Sequence, residues 1–240
     1  MHFHLPKPMH GWREFAGEVG IIVVGVLIAL GAEQVVEHFR DEAKRHEAGQ
    51  NVRAEISASI GSEMSRAATE RCIKGRITEL QTYVDEVAGG ANPTRPNWVG
   101  RPQVWTIGRA RWQAATNTGR ASLLEPNEQQ ELSSIYESLN EIVSSQHEEQ
   151  LAWAQLRAVT HLTKIDPPEA AVLIQALQIA RLTDWRIALA NSQVKQTAEK
   201  LGIKPTLNPY VGSTSVCLPM TTRYAEGIRK SGMGDVGEPQ

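Results

Sequence analysis

Residues 127–166 read NEQQELSSIYESLNEIVSSQHEEQLAWAQLRAVTHLTKID, forty positions without a glycine or a proline. Leu132, Ile135, Tyr136, Leu139, Ile142, Val143, Trp153 and Leu156 recur mostly at helical spacing, which argues for an amphipathic helix and against a strand. Pro126 stands at its start, where the missing N–H has no intrahelical acceptor to satisfy. Asp166-Pro167-Pro168-Glu169 then reads as a stop followed by a new start, with Asp166 as N-cap, Pro167 in the first position and Glu169 completing a capping-box-like pattern. The second helix, over 169–201, carries Leu173, Leu177, Trp185, Ile187, Leu189, Val194 and Leu201, and Gly202 ends it.

Upstream the same period returns. No proline occurs between Glu33 and Ala88, and Val52, Ile56, Ile60, Met64, Ala67, Ile73, Ile77, Leu80, Val84 and Val87 mark a helix over 51–88. Gly49, Gly61 and Gly75 are the positions at which it is free to bend. Residues 89–102 hold three glycines and three prolines and read as a loop, and a short helix is expected over 105–118. The three long helices would measure roughly 57, 60 and 50 Å, close enough to lie side by side. The fold class expected is therefore all-α: an antiparallel three-helix bundle (51–201) with one extra short helix and an irregular C-terminal tail (202–240).

The first fifty residues differ in kind. Between Glu18 and Glu33 lies VGIIVVGVLIALGA, fourteen uncharged residues. Alone that run spans roughly 21 Å as a helix, short of a hydrocarbon core about 30 Å thick. Over residues 15–36 the length is roughly 33 Å, Glu18 and Glu33 fall near the two interfaces, and Trp12, Phe15 and Phe39 flank the span as aromatic belts do. Ala29-Leu30-Gly31 offers a small-x-small cleavage site, so a signal peptide is an alternative, and a buried core helix is another. Glu14 and Glu18 are unusual beside a signal-peptide core, and a helical pattern continues through the cut, so the reading adopted is an uncleaved transmembrane helix (15–36). A short cytoplasmic head (1–14) precedes it and a helical stalk (37–50) comes after. Basic residues are nearly balanced across the span, and an anchor with so short a head commonly exports its C-terminal domain. The expected placement is a bacterial inner membrane, with the N-terminus cytoplasmic and the C-terminal domain periplasmic.

The chain has 240 residues, 41% hydrophobic and 22% charged, with a net charge of −2. These values exclude a polytopic membrane protein, a collagen-like chain and a charge-driven disordered tail, and they give no support for a nucleic-acid partner. All three phenylalanines precede residue 40, so the averages blend a membrane segment with a polar bundle.

Motifs for chemistry are scarce. Gly232, Gly234 and Gly237 match a dinucleotide fingerprint, but no strand precedes them. Phosphate-loop, nucleophile-elbow, HExxH, CxxC and Glu-x-x-His patterns are absent from the sequence. His147 and His161 are roughly 21 Å apart along a helix, and His2, His4 and His10 sit in the polar head. Neither catalytic nor metal residues nor a cofactor are expected. Cys72 and Cys217, the only cysteines, are a candidate disulfide if the domain is exported, tethering the tail to the first bundle helix; two unrelated thiols are the alternative.

Residues 87–124 contain five arginines, three tryptophans and no acidic residue, whereas 125–156 contain seven glutamates and no lysine or arginine. Arg101, Trp105, Arg109, Trp112 and Arg120 are a candidate recognition surface, because a guanidinium offers forked hydrogen bonds and an indole a flat face to anions, glycans or lipid headgroups. The competing reading, which is favoured, pairs these arginines with the acidic helix and puts the indoles in the core.

The string GEVGIIVVGVLIALGAEQ, with WREF before it, and the segment ARWQAATNTGRASLLEPNEQQELSSIYESL resemble an uncharacterised family of bacterial single-span envelope proteins. The resemblance implies an N-terminal inner-membrane anchor and a helical extracytoplasmic domain, and brings no activity or catalytic residue with it. The function expected is a non-catalytic interaction or accessory module, its partners being the bilayer and either another protein or further copies of itself. The alternative is a ligand-sensing bundle that signals through a separate membrane partner.

Overall fold

A computed structural model describes residues 11–162, 164–206 and 215–230. The glycine motif near residue 234, the head histidines and much of the tail lie outside them. The described residues form six α-helices and no strand: α1 (Trp12–Ala67), α2 (Glu70–Ala88), α3 (Ala110–Asn117), α4 (Pro126–Arg157), α5 (Pro167–Lys200) and α6 (Tyr224–Lys230). The protein is all-α, a long N-terminal helix followed by a helical bundle.

At 1.5 Å per residue, α1 is about 84 Å long. Every residue from 15 to 40 whose side chain is described is exposed, including Ile21, Ile22, Leu27 and Ile28. This apolar length packs on nothing among the described residues, so it is not a core helix of the bundle they form. Among the described residues α1 is the one helix long and apolar enough to cross a membrane. Burial begins at Ala48 and continues through Val52, Ile56 and Ile60.

The helix expected over 51–88 breaks at Ala68 and Thr69, and at none of the glycines. The Thr69 N–H and hydroxyl both donate to the Arg66 carbonyl, at 2.8 and 2.9 Å, closing a tight turn in place of a continuing helical one. The end of α4 repeats the device. The Thr160 hydroxyl donates to the Arg157 carbonyl at 2.9 Å, and the chain passes through a 3₁₀ turn, Ala158–Thr160, instead of continuing as helix to 166. The start of α5 is as the sequence indicates: Glu169 N–H donates to Asp166 Oδ1 and Asp166 N–H to Glu169 Oε2, both at 3.0 Å.

Helices α4 and α5 form an antiparallel hairpin. Along α1 the partners on α4 ascend, Arg45 with Glu125, Arg53 with Glu128, Glu55 with Tyr136 and Arg66 with Glu149. Those on α5 descend, Arg53 with Leu201, Glu63 with Asn191 and Arg66 with Asp184. The α1–α2 rod is thus antiparallel to α5 but runs in the same direction as α4. The expectation of antiparallel neighbours throughout rested on short connections. Residues 89–125 are long enough to return the chain to the other end of the bundle.

Two apolar cores result, stacked along the hairpin. The first gathers Val52, Ile56 and Ile60 with Leu132, Ile135, Leu139, Ile187 and Val194, and the second Ile73, Ile77, Leu80 and Val84 with Trp153, Leu156, Leu173 and Leu177. Trp185 and Leu189, expected on the buried stripe of α5, face outward instead.

Candidate functional site

The return connection decides the fate of the arginine- and tryptophan-rich segment. Ala110–Asn117 is α-helical and Arg120–Leu123 a 3₁₀ turn; residues 101–109 form an extended strap along α4, where a helix was expected from 105. Arg101 Nη1 donates to Gln150 Oε1 at 3.2 Å, the Trp105 N–H to Gln146 Oε1 at 2.8 Å, and Arg109 Nη1 to Asn140 Oδ1 at 2.7 Å. The partners descend α4 as the strap ascends in number. Glycine at 108 lets the strap approach α1, since a Cβ there would stand 2.7 Å from Glu55 Cγ.

The five candidate recognition residues are therefore spread over the strap, α3 and the 3₁₀ turn Arg120–Leu123. Trp105 is buried, and Trp112 stacks on Tyr136 with ring centroids 5.3 Å apart and planes 8° from parallel. Arg120 Nη1 meets Glu47 Oε2 of α1 at 3.3 Å. The expected pairing with acidic residues of α4 is replaced by bonds to its amides and to carboxylates of α1. The glutamates of α4 are answered by other helices, Glu128 by Arg53, and Glu141 and Glu148 by Arg186. The Tyr136 phenol donates to Glu55 Oε1 at 2.7 Å, and burial together with that carboxylate pushes its pKa well above the usual tyrosine value.

Cys72 of α2 and Cys217 are joined by a disulfide, with Cα atoms 4.9 Å apart. Residues 215–230 are stitched beside it. The buried Arg76 guanidinium donates to the carbonyls of Val99 and Leu218, Trp98 Nε1 donates to the Ser215 carbonyl at 2.8 Å, and the Asn97 and Trp98 N–H groups donate to the Met220 carbonyl. Contact is close: a Cβ on Gly100, whose φ is +73°, would lie 2.4 Å from the Ser215 oxygen, and one on Gly227 would lie 2.3 Å from the Trp98 ring.

Between the two apolar cores, at the α1–α2 break, lies a layer of buried charge. Arg66 is 4% exposed, Glu149 0%, Asp184 7% and Glu63 2%. Arg66 Nη1 and Nη2 donate to the two Glu149 oxygens at 3.0 and 2.7 Å, and Nη2 also reaches Asp184 Oδ1 at 3.1 Å. Asn191 Nδ2 donates to Glu63 Oε2 at 2.5 Å, while buried Glu63 Oε1 has no hydrogen-bond partner. Burial pushes all three carboxyls up from their ordinary values, against the pull of Arg66, and the surrounding carboxylates hold Arg66 charged. A cleft of about 210 Å³ opens beside the layer, lined by Glu63, Arg66, Glu70, Asp184, Asn191 and Lys195.

The arrangement is suited to fixing register, because one guanidinium serves carboxylates from two other helices and the break of α1 can occupy only that level. Among the described residues no group of three His, Cys, Asp or Glu side chains is placed to hold a metal ion. Composition and motif do not single out these residues, although a signal exists in their spacing. Glu63, Glu149 and Asp184 each fall on the apolar stripe of their helix, Glu149 four residues before Trp153 and Asp184 three before Ile187.

No protein-family model matches the chain, and neither a curated protein nor a solved structure matches it.

Proposed function

We propose that the protein is a non-catalytic, single-pass inner-membrane protein whose extracytoplasmic helical bundle serves as an interaction or accessory module. The observation that carries this reading is an apolar stripe on the outer face of α5. Leu182 is 51% exposed, Trp185 59% and Leu189 44%, one to two turns apart on one side of the helix. A cleft of about 300 Å³ adjoins it, lined by Lys74, Ile77, Arg181 and Trp185. Exposed tryptophan with aliphatic neighbours is the composition of an interface centre, where a few anchors supply most of the binding energy.

The apolar length of α1, uncovered among the described residues, supports a bilayer as its surroundings. The Cys72–Cys217 disulfide supports a bundle on the oxidising side of the membrane, since disulfides persist outside the cytoplasm. That is the topology the resemblance to single-span envelope proteins implies. A ligand-sensing bundle coupled to a separate membrane partner is the second reading, favoured by a cleft beside Arg157 at the far end of α4.

Purification from mild detergent, followed by mass spectrometry, tests the first reading. A stoichiometric partner, or a second copy, should be retained by the native protein and lost from Leu182→Ala/Trp185→Ala while the melting temperature is unchanged. A monomer with nothing bound, or a complex indifferent to both substitutions, overturns it. A reporter fused after residue 206 and found in the cytoplasm would overturn the orientation separately.

A further inference from the structure

At the far end of α4 a cleft of about 270 Å³ is lined by Asn97, Trp98, Arg157, Thr160, His161 and Tyr224. Arg157 is half-buried in its wall, and Nη1 is buried without a hydrogen-bond partner. Among the described residues no acidic side chain lines the cleft, and Arg101 adds positive charge beside Arg157. On α6, Glu226 is taken by Lys230 at 2.5 Å. Position in the last turn of α4 is favourable for a cation because of the helix carbonyls. Nη1 itself is closed to solvent, so a bound group meets Arg157 through the atoms that line the cleft.

The walls supply the remaining chemistry. The Trp98 and Tyr224 rings stand 6.0 Å apart at 58°, a tilted pair at the cleft edge. Trp98 is held by the Ser215 carbonyl and by Gly227 beneath its ring, and Ser215 is two residues from Cys217. The indole wall is therefore rigid, whereas Tyr224 is exposed.

We infer that this cleft binds a small soluble anion, an oxyanion carried on a planar apolar group, with the Arg157 guanidinium taking the oxyanion and the Trp98–Tyr224 pair taking the plane. Guanidinium matches carboxylate and phosphate in a two-point geometry, and aromatic faces match flat apolar groups. The volume, just below the usual range for drug-sized ligands, fits one ring and one anionic group. Headgroups of the bilayer that α1 would cross are out of reach. Helix α4 begins beside Glu125, which meets Arg45 of α1, and Arg157 lies about 47 Å farther along it. The site stands on the cleft alone and does not depend on the α5 stripe.

Benzoate and phenyl phosphate are the probes, titrated into the full-length protein in detergent micelles while tryptophan fluorescence and melting temperature are followed; inorganic phosphate reports the oxyanion without the ring. Either ring-bearing anion should give saturable quenching and a higher melting temperature. Arg157→Gln should weaken that binding tenfold or more without lowering the melting temperature of the unliganded protein, because a poorly satisfied buried charge is removed. Tyr224→Ala, at an exposed position, should weaken the ring-bearing anions and leave inorganic phosphate unaffected. If Arg157→Gln does not fold, Tyr224→Ala alone decides. Absence of saturable binding by both ring-bearing anions up to about 10 mM, or binding unchanged in Arg157→Gln, or unchanged in Tyr224→Ala, overturns the inference.

Discussion

Arg66, one residue before the last of α1, is bonded through both terminal nitrogens to Glu149, on the buried face of the C-terminal half of α4. The two residues lie 83 positions apart and join the end of the long helix to the hairpin at the level where the two apolar cores meet. Removing one member of such a pair leaves the other buried and uncompensated. Arg66→Met should lower stability by about 3–5 kcal/mol in urea denaturation, and Glu149→Leu introduced with it should restore part of the loss. A double variant no more stable than Arg66→Met would mean that the pair does not fix the level of the break.

The carboxyls of this layer also set a pH dependence. Glu63, Glu149 and Asp184 titrate above their ordinary values in the folded chain, chiefly through burial. The folded state therefore holds protons that the unfolded state has released. Stability from these groups is full below the ordinary carboxylate values, 4.5 for Glu and 3.8 for Asp, and declines as pH rises through the elevated ones. Melting temperature should fall as pH rises above the ordinary carboxylate values, and Glu63→Gln should reduce the fall. A melting profile equally steep in Glu63→Gln would exclude Glu63 as a contributor.

Because the Cys72–Cys217 bond spans 145 residues, it restricts the unfolded chain strongly. The entropy argument gives about 5 kcal/mol for so long a loop, and measured losses generally run from about 2 to 5 kcal/mol. Cys217→Ser should destabilise by an amount in that range and make residues 215–230 the first site of proteolysis. Native protein should take up no thiol label until it is reduced; labelling of both cysteines beforehand would contradict the bond.

Gly100 combines a positive φ with backbone contact to the 215–217 turn. Gly100→Ala should cost about 2–4 kcal/mol, since the methyl group adds a steric clash to a conformation that L-residues disfavour. Gly119 also has positive φ, +72°, but open space around it, so Gly119→Ala should cost only about 1 kcal/mol. Paired thermal melts separate the two, and equal losses would show that the contact at Gly100 contributes nothing.

Arg109 makes one exposed bond, to Asn140. Arg109→Ala should lower stability by about 0.5–1.5 kcal/mol and leave partner binding intact. Retention of the melting temperature with loss of a partner would return the strap to the role of a recognition surface.

Local chemistry determined much of this protein from sequence alone. Apolar spacing marked α4 and α5, Asp166 and Glu169 set the start of α5, Pro126 opened α4, and the run between Glu18 and Glu33 marked the membrane-length part of α1. Each depends on neighbours within about one turn, or on composition within one segment. Tertiary structure alone decided the break at Thr69, the extended course of 101–109, the shared direction of α1–α2 and α4, the burial of Arg66 with three carboxyls, and the exposure of Trp185. A tryptophan on a helix has two faces of the molecule open to it, and helical period is indifferent to which is covered. A charged residue on an apolar stripe is stable only when a partner of opposite sign arrives from another helix, as Arg66 does for Glu149, and that meeting is set by how the rods align.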